Sequence, residues 1–339
     1  MKKVALLFIC LNPNYWIFLE DVIKDARQHF LKNHKVDFYA WSDIPELDSP
    51  KVKEIVESYP PQATIPQILI DNIKGSFEQE FEKANRGEPL ELYQFQNKLL
   101  QSFNDVSKVV SRETMQQSID FLRSQKDITV FPTDPEPWPF PTLMRYHLML
   151  QQEEILKDYD YLYYMDVDMR IVDEVTDEIM GEGLTIAEHP MYSLRREYIP
   201  PYEPNLNSKA YIPRPGVVIA NEQGQPWFKP IYAAGGFQGG TTESFLKAMK
   251  AMRKTIDADF LNNYTAIWND ESHWNRYIYD YTGPVNILSP SYVYPDSLIA
   301  EYYEKVWGKK YKPIIITLTK KFSLNTQGGE YLREKLATL

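Results

Sequence analysis

The chain has 339 residues, 43% hydrophobic and 25% charged, so it is long enough for one large or two ordinary domains with a substantial core. Its formal net charge of −10 argues against nucleic acid or an anionic membrane as the main partner, because both require a basic surface. The single cysteine, Cys10, excludes an internal disulfide and a multi-cysteine metal site, and it favours a reducing compartment.

The opening segment MKKVALLFICLNPN joins two lysines to a short apolar run, as a signal peptide does. No small-residue cleavage site follows, and the run is too short to span a bilayer. Its length and its Val, Leu, Ile and Phe content instead predict a buried strand. We therefore expect a cytoplasmic protein without a transmembrane segment.

The first 43 residues show a β–α–β pattern. The pattern predicts a strand over Val4–Cys10, a helix around Trp16–Leu31 and a second strand over Val36–Trp41. Strands that alternate with helices indicate an α/β fold with a mostly parallel sheet, which binds ligands at the carboxyl ends of its strands.

Residues 44–126 are polar and have a helical period. Their apolar residues predict helices near 70–81 and 92–103, and a third helix that carries Met115, Ile119 and Leu122. No cluster of catalytic residue types occurs among them. We interpret this segment as a helical insertion that packs on itself or on a partner.

The second half begins with a proline-rich link, Pro132–Thr142, and a predicted helix near Leu143–Leu156. The segment Pro190–Pro230 is rich in prolines and aromatic residues, which is typical of an ordered binding loop. The stretch GGFQGG, Gly235–Gly240, concentrates glycine in a glycine-poor chain, which indicates that some group approaches the backbone closely.

Two carboxylates follow the apolar run YLYYM. On a continuing strand, Asp166 and Asp168 would project to the same side. At about 4 Å and an effective dielectric near 20 they would repel by roughly 4 kcal/mol. A divalent cation removes that repulsion, and carboxylate oxygens suit Mg²⁺ or Mn²⁺. A solvated or helix-capping pair is the alternative, since about one D-x-D occurs by chance in a chain of this length.

Further motifs follow in chain order. They are EHPMY, PYEPN with KAYIP, GGFQGG, WNDESHWNRY and LSPSY. Together with DVDM and an opening in which FIC precedes NYW, they make the chain resemble glycosyltransferase family six over roughly residues 1–43 and 127–320. That family includes the histo-blood-group A and B transferases and the α-1,3-galactosyltransferases, with shorter bacterial and phage relatives. Animal members carry a membrane anchor and stem, which are missing here, so we expect the bacterial or phage branch.

The resemblance implies a fold and a reaction. The fold would be a single Rossmann-like catalytic domain of GT-A type over residues 1–339, with a mixed, mostly parallel sheet, the helical insertion at 44–126 and a tail, 308–339, that closes over the donor. The reaction would move N-acetylgalactosamine or galactose from a UDP-sugar to the 3-hydroxyl of a β-galactoside acceptor, fucosylated or not, with retention. Many bacterial members have Asn-x-Asn and work without metal. This chain keeps both aspartates, so we expect it to depend on Mn²⁺.

The resemblance also implies residues that bind the nucleotide. Phe8, Ile9 and Tyr15 would hold uridine, although ordinary strand core explains Phe8 and Ile9 equally well. We expect Tyr15 to be exposed. Asp166 and Asp168 would hold the metal and, through it, the diphosphate.

Three other positions match donor-binding residues of the family. Arg145 would contact the donor, although a lone helical arginine is usually a surface charge. Asp270 would bind hydroxyls of the donor sugar. Lys320 falls near a tail that supplies a cation to the leaving group, and the alternative is a solvated basic pair with Lys321.

Glu271 matches the residue placed under the reacting anomeric carbon. Its carboxylate would either stabilise oxocarbenium character or attack to form a covalent intermediate. His189 and Trp268 match positions that contact the acceptor galactose, Trp268 by stacking. A place in the core is the alternative for this tryptophan.

Donor choice is implied by Ala234, Gly235 and Gly236. Glycine at the last of these positions leaves room for an acetamido group, which favours UDP-N-acetylgalactosamine, although a roomy pocket also admits galactose. Two residues depart from the family pattern. Asn269 replaces a histidine and Gln238 replaces an aromatic residue, and we expect both changes to affect acceptor specificity.

Two other functions remain open at this stage. The chain could be a UDP-sugar transferase with a different acceptor class. It could also be a catalytically silent sugar-binding or scaffold protein, in which the insertion docks a partner. A binding module does not need Asp166, Asp168 and Glu271 together, which favours an enzyme.

Overall fold

A computed structural model gives the structure of most of the chain. It describes residues 1–44, 50–58, 111–125, 127–136, 139–190, 192, 200–213, 218–220, 226–228, 231–295 and 311–318. The helices predicted near 70–81 and 92–103 lie outside these residues.

A seven-stranded sheet forms the centre of the described fold. In spatial order its strands are β10 (Val285–Leu288), β6 (Leu184–Glu188), β9 (Ala233–Thr241), β4 (Tyr161–Met165), β1 (Lys3–Cys10), β2 (Lys35–Ser42) and β3 (Ile128–Pro132). β1 is parallel to β2 and β4, and β6 is parallel to β10, whereas β9 is antiparallel to both of its neighbours. The predicted α/β fold with a mixed, mostly parallel sheet is therefore confirmed.

Helices cover both faces of the sheet. They are α1 (Pro13–His29), α2 (Pro50–Ser58), α3 (Arg112–Ser124), α4 (Phe140–Leu143), α5 (Arg145–Leu150), α6 (Glu153–Leu156), α7 (Thr242–Leu261) and α8 (Asn269–Asp280). The single helix predicted near Leu143–Leu156 is instead divided among three short ones, with one boundary at Met144 and a second at Gln152, where the backbone leaves the helical conformation with φ −108° and ψ 24°.

Strand β1 shows why the chain forms a buried central strand. Leu6 and Phe8 pack into one core with α1 and α3, while Leu7 and Ile9 pack into a second core with α5 and α7. A strand buried on both faces reads as a continuous apolar run rather than an alternating one.

Helix α3 lies at the end of the predicted insertion. Met115 and Ile119 are fully buried in the same core as β1 and α1. Ser111 caps the helix with reciprocal hydrogen bonds to Thr114. This end of the insertion therefore packs on the sheet of the domain itself.

Two small sheets complete the described structure. One has the order β11 (Tyr294–Pro295), β12 (Ile315–Thr317) and β5 (Met169–Ile171), and the other pairs β7 (Val218–Ala220) with β8 (Pro226–Phe228). Part of the predicted loop Pro190–Pro230 is thus a hairpin. Among the described helices, none has the length and apolarity needed to cross a membrane.

Candidate active site

The direction of β9 determines where the candidate site lies. Strands β1, β2, β4 and β6 end at one edge of the sheet, and β9 begins there because it runs the other way. Ala233, its first residue, pairs with Glu188 at the end of β6. Asp166 directly follows β4, and His189 directly follows β6. The edge at which an α/β sheet binds ligands thus carries several of the predicted site residues.

The two aspartates of DVD lie in a turn. β4 ends at Met165, so the strand alternation used to predict their common direction does not reach them. Asp166 keeps 31% of its side chain exposed, whereas Asp168 is 5% exposed as a residue. The backbone N–H of Asp166 donates to the carbonyl of Gly236 at 2.9 Å, which joins the turn to β9.

Arg145 occupies the centre of the cluster and is only 4% exposed, so the surface alternative is wrong. It donates to the carbonyl of Gly235 at 3.0 Å and lies 3.5 Å from Asp166 and 3.3 Å from Asp270. Its guanidinium also stacks over the ring of Tyr164 at 4.3 Å. Burial alone would lower the pKa of Arg145, but Asp270, Tyr164 and Asp166 together raise it above its ordinary value. The guanidinium is therefore a fixed positive charge.

Asp270 and Glu271 begin helix α8 and are brought to the edge of the sheet by it. Burial raises the pKa of Asp270 to about 6, while Arg145 acts to lower it. Burial raises the pKa of Glu271 to about 7, against the opposing effects of the Tyr232 hydroxyl and the Gly235 N–H. Carboxyl groups with a pKa near neutral pH are typical of catalytic sites, because they gain or lose a proton easily at physiological pH.

The glycine segment of β9 connects these groups. Gly235 donates its N–H to Oε2 of Glu271 at 2.7 Å, while its carbonyl accepts from Arg145. A methyl group on Gly236 would lie 3.0 Å from Oδ2 of Asp166. Ala234 is 6% exposed. The three positions predicted to select the donor therefore lie between the DVD turn and Glu271.

The three residues predicted to bind uridine differ in how deeply their side chains are buried. Phe8 is fully buried in the core and Ile9 is 8% exposed, so the core alternative describes the Phe8 side chain. Tyr15 is partly buried rather than exposed. Burial raises its pKa, with Asp168 and Asp166 adding to the rise, which puts Tyr15 beside the DVD turn.

The predicted acceptor residues border Glu271 directly or through Tyr232, which acts on the Glu271 carboxylate. The ring of His189 packs against Tyr192 at 5.0 Å and Tyr232 at 5.7 Å. Burial lowers the pKa of His189 to about 4, so the ring is neutral at physiological pH. Trp268 is partly exposed just before α8, and its carbonyl accepts from the N–H of Glu271 at 3.0 Å. An entirely buried core position is thus wrong for this tryptophan.

The donor set for a metal consists of carboxylate oxygens. Within the described ranges, no group of three or more His, Cys, Asp or Glu side chains could enclose a metal ion. Asp166 offers hard oxygens beside Gly236, which lacks a side chain, and the Asp168 carboxylate lies with Asp166 near Tyr15. Two carboxylates suit Mg²⁺ or Mn²⁺ when water and phosphate supply the remaining ligands, so the residues fit such an ion.

The end of the described chain approaches the same turn. Leu318 donates its N–H to the carbonyl of Asp168 at 2.8 Å, next to the pairing of β12 with β5. Lys320, predicted to meet the leaving group, lies outside the described residues.

Several polar residues that support the site were not predicted as such. Asn275 accepts from the N–H of Ala233 at 2.8 Å and donates to its carbonyl at 2.9 Å, which attaches α8 to β9. His273 is buried 3.7 Å from Asp259, which itself accepts from the hydroxyl of Ser208, the residue directly before KAYIP. Asn and His within the compact motif DESHWNRY were the available signal, but spacing alone does not reveal such partners.

Comparisons with known proteins agree with this geometry. A profile of "Glycosyltransferase family 6" matches residues 113–307, more than half of the chain. Histo-blood group ABO system transferase 1 of Rattus norvegicus is 34% identical over 148 residues, which cover 44% of this chain and 38% of the relative. O-antigen biosynthesis glycosyltransferase WbnI of Escherichia coli is 30% identical over 160 residues, 47% of this chain and 62% of the relative.

A third relative is globoside alpha-1,3-N-acetylgalactosaminyltransferase 1 of Gallus gallus. It is 33% identical over 141 residues, which cover 41% of this chain and 36% of the relative. The chain thus spans less than two thirds of the length of each of these relatives. The matched range of the family profile contains the DVD turn, the glycine segment and DESH. The chain belongs to glycosyltransferase family 6.

Proposed function

We propose that the protein is a metal-dependent, retaining α-1,3-glycosyltransferase that moves N-acetylgalactosamine from UDP to the 3-hydroxyl of a β-galactoside, with galactose as the alternative sugar. One observation carries this proposal. The N–H of Gly235 holds the Glu271 carboxylate at 2.7 Å, and its carbonyl accepts from Arg145, which lies 3.5 Å from Asp166. A carboxylate, a fixed cation and the DVD turn therefore meet beside one glycine.

The nucleotide would bind on the DVD side of this glycine. Asp166 and Asp168 would hold Mn²⁺, which supplies positive charge to the diphosphate when it is bound. Tyr15 borders the turn and would face uridine. Arg145 orients Asp166 and Asp270, because its guanidinium is ion-paired to both.

Bond breaking at the anomeric carbon would leave the electron pair on the departing phosphate oxygen and positive character on the sugar. Glu271 opposes that charge, either as an electrostatic stabiliser or as a nucleophile that forms a glycosyl-enzyme intermediate. Its ionised form is required in both routes. The acceptor hydroxyl then forms the new bond on the face that UDP left, which in the covalent route breaks the bond to Glu271, and its proton passes to a phosphate oxygen of the departing UDP.

The choice of sugar would depend on the glycine segment. Gly235 and Gly236 add no side chain beside Glu271 and Asp166, whose carboxylates a methyl group would approach to 3.3 Å and 3.0 Å, and the absence of that bulk supports a donor with a 2-acetamido group. The chicken relative is by name an alpha-1,3-N-acetylgalactosaminyltransferase, which supports the same choice.

The acceptor galactose would bind between His189 and Trp268. A neutral imidazole can donate and accept hydrogen bonds with sugar hydroxyls, and an indole face can stack on a sugar ring.

The proposed organisation of the chain is a single catalytic domain over 1–339 with an insertion at 44–126. Its tail, 308–339, would bring Lys320 to the leaving diphosphate. We also propose that the protein acts in the cytoplasm.

A donor screen tests the proposed reaction. Purified protein is incubated with single UDP-sugars, a β-galactoside acceptor and Mn²⁺, and free UDP and glycosylated product are measured. We expect product from UDP-N-acetylgalactosamine, loss of product with EDTA, and loss in Asp168→Ala. The exposed substitution Glu154→Gln is the matched control and should behave like the wild type.

The other outcomes of this screen each contradict part of the proposal. Turnover that is unchanged by EDTA and by Asp168→Ala contradicts the metal. UDP release without transfer to any galactoside indicates a different acceptor class. Tight UDP-sugar binding with no UDP release from any donor contradicts an enzyme and favours a sugar-binding protein.

A further inference from the structure

Gln238 is a polar residue in the middle of an otherwise apolar part of the sheet. It is fully buried and pairs with Tyr164 on β4 and Ile186 on β6. A buried amide is costly unless its donor and acceptor groups are both satisfied. Its neighbours are not the acceptor residues His189 and Trp268, so the expectation that it affects acceptor specificity directly is not supported by its position.

Two hydrogen bonds satisfy this amide. Oε1 of Gln238 accepts from the hydroxyl of Tyr146 at 2.9 Å, and Nε2 donates to the carbonyl of Gly235 at 2.9 Å. Tyr146 is also fully buried and directly follows Arg145 on helix α5. Because Arg145 donates to the same carbonyl at 3.0 Å, α5 contacts Gly235 through two routes, one direct and one through Gln238.

The backbone of the sheet does not hold Gly235 by itself. The last pair between β4 and β9 is Met165 with Phe237, and the backbone bond beyond it, from the N–H of Asp166 to the carbonyl of Gly236, does not involve Gly235. The pairing of β6 with β9 shifts between Ile186 and Glu188, an irregularity that falls opposite the glycine segment. Side-chain hydrogen bonds therefore hold the Gly235 carbonyl, and one of them comes from Gln238 on β9 itself.

We infer that Gln238 is a positioning residue for sugar transfer, which it supports by fixing the Gly235 peptide with Tyr146 behind it. The carbonyl that Gln238 holds and the N–H that faces Glu271 belong to the two peptides on either side of the α-carbon of Gly235, so a shift of this residue moves the carboxylate relative to the donor sugar. This inference rests on the proposed function, and it adds a residue that contacts neither substrate.

A purely structural role predicts a different result. Replacing both partners of a buried hydrogen bond by apolar groups of similar shape is often close to neutral for stability. The double variant Gln238→Met/Tyr146→Phe removes the amide and the hydroxyl together, and the Gly235 carbonyl keeps its hydrogen bond from Arg145. Because the Tyr146 hydroxyl also acts on Asp270, whose pKa it lowers, Tyr146→Phe alone is measured beside the double variant, and only the additional change in the double variant is ascribed to Gln238. If the pair serves only the fold, activity and stability change together or not at all.

The test compares the wild type with Gln238→Met/Tyr146→Phe and with a control, Gln117→Met, on the exposed face of α3. Thermal unfolding, kcat and donor KM with UDP-N-acetylgalactosamine, and hydrogen exchange of peptides from residues 233–241 are measured. We expect an unchanged Tm and donor KM, a kcat lower by about 10- to 100-fold, the scale of a misplaced catalytic group, and faster exchange in residues 233–241 alone. The control should change none of these.

The exchange measurement separates this inference from the proposed function. Faster exchange at an unchanged Tm supports positioning of Gly235 even if no UDP-sugar reacts with the wild type, a result that would defeat only the reaction. An active wild type whose double variant keeps its kcat and its exchange rates overturns the inference and leaves the reaction intact. A fall in Tm together with a proportional fall in activity also overturns it, in favour of a structural role.

Discussion

The two glycine pairs of GGFQGG lie on one strand, but a side chain added at each pair would contact different neighbours. At Gly239 a methyl group would lie 2.3 Å from Tyr163 and 2.5 Å from the carbonyl of Leu162, and at Gly240 it would lie 2.1 Å from the carbonyl of Gly183. At Gly235 and Gly236, the nearest atoms belong to the side chains of Glu271 and Asp166, at 3.3 Å and 3.0 Å.

This difference separates the requirements of the fold from those of the site. The second pair excludes a side chain because the backbones of neighbouring elements are too close to yield. At the first pair a methyl group would press on the side chains of Glu271 and Asp166, for which we propose roles in catalysis and metal binding. Substitutions in the two pairs should therefore fail in different assays.

The largest effect is expected at Gly240. Its φ of 140° and the nearby carbonyl of Gly183 make Gly240→Ala strained and overpacked at once. We expect a loss of about 3 kcal/mol or more in the free energy of unfolding, from the summed costs of overpacking and backbone strain. Urea unfolding followed by circular dichroism measures it. A stability within experimental error of the wild type would contradict the comparison.

Gly235→Ala should affect chemistry before stability. The new methyl group would press on Cβ and Oε2 of Glu271 at 3.3 Å, which displaces the carboxylate. We expect kcat to fall by about 100-fold, the cost of misplacing a catalytic group by roughly 1 Å. Activity and thermal unfolding are measured on the same preparation, and a large fall in Tm with normal kcat would reverse the assignment of this pair.

Gly236→Ala should change the preferred sugar. The methyl group would lie 3.0 Å from Oδ2 of Asp166, in the space proposed for the acetamido group. We expect the ratio of kcat/KM for UDP-galactose over UDP-N-acetylgalactosamine to rise by about 10-fold, the effect of one methylene-sized change in a pocket. Competition between the two donors gives this ratio directly. An unchanged ratio would remove the basis for the donor proposal.

The smallest effect is a pH dependence. Because burial raises the pKa of Glu271 to about 7 and its ionised form is required, kcat/KM should fall as the pH falls through this value. We expect a decrease of about threefold between pH 7.5 and 6.5 for a single ionisation. A bound divalent cation would favour the carboxylate and move this limb to lower pH. Activity that rises on acidification over this interval would contradict the ionised form.

The sheet could be predicted because its strands carry local signals. The run Val4–Cys10 and the run Tyr161–Met165 are continuous and apolar, as buried parallel strands are, and both are strands in the structure. The direction of β9 could not be predicted, because the antiparallel pairing of one strand within a parallel sheet depends on partners far away in the sequence.

Site residues could be predicted where they belong to a recognisable motif. They could not be predicted where their role depends on contacts with residues far away in the sequence. DVD and DESH pointed to Asp166 and Glu271, which the structure brings to the same glycine segment. The direction of the DVD aspartates was inferred from a strand that in fact ends one residue earlier. The role of Gln238 was hidden because Tyr146, its partner, is 92 residues away in the chain.

The most direct measurement is a crystal structure of Glu271→Gln with Mn²⁺ and UDP-N-acetylgalactosamine, using anomalous scattering to locate the metal. The account predicts manganese at Asp166 and Asp168 with the diphosphate bound to it, and the sugar against Gly235 and Gly236 with its anomeric carbon facing residue 271. Manganese and nucleotide at any other edge of the sheet, or a sugar that points away from the first glycine pair, would contradict it.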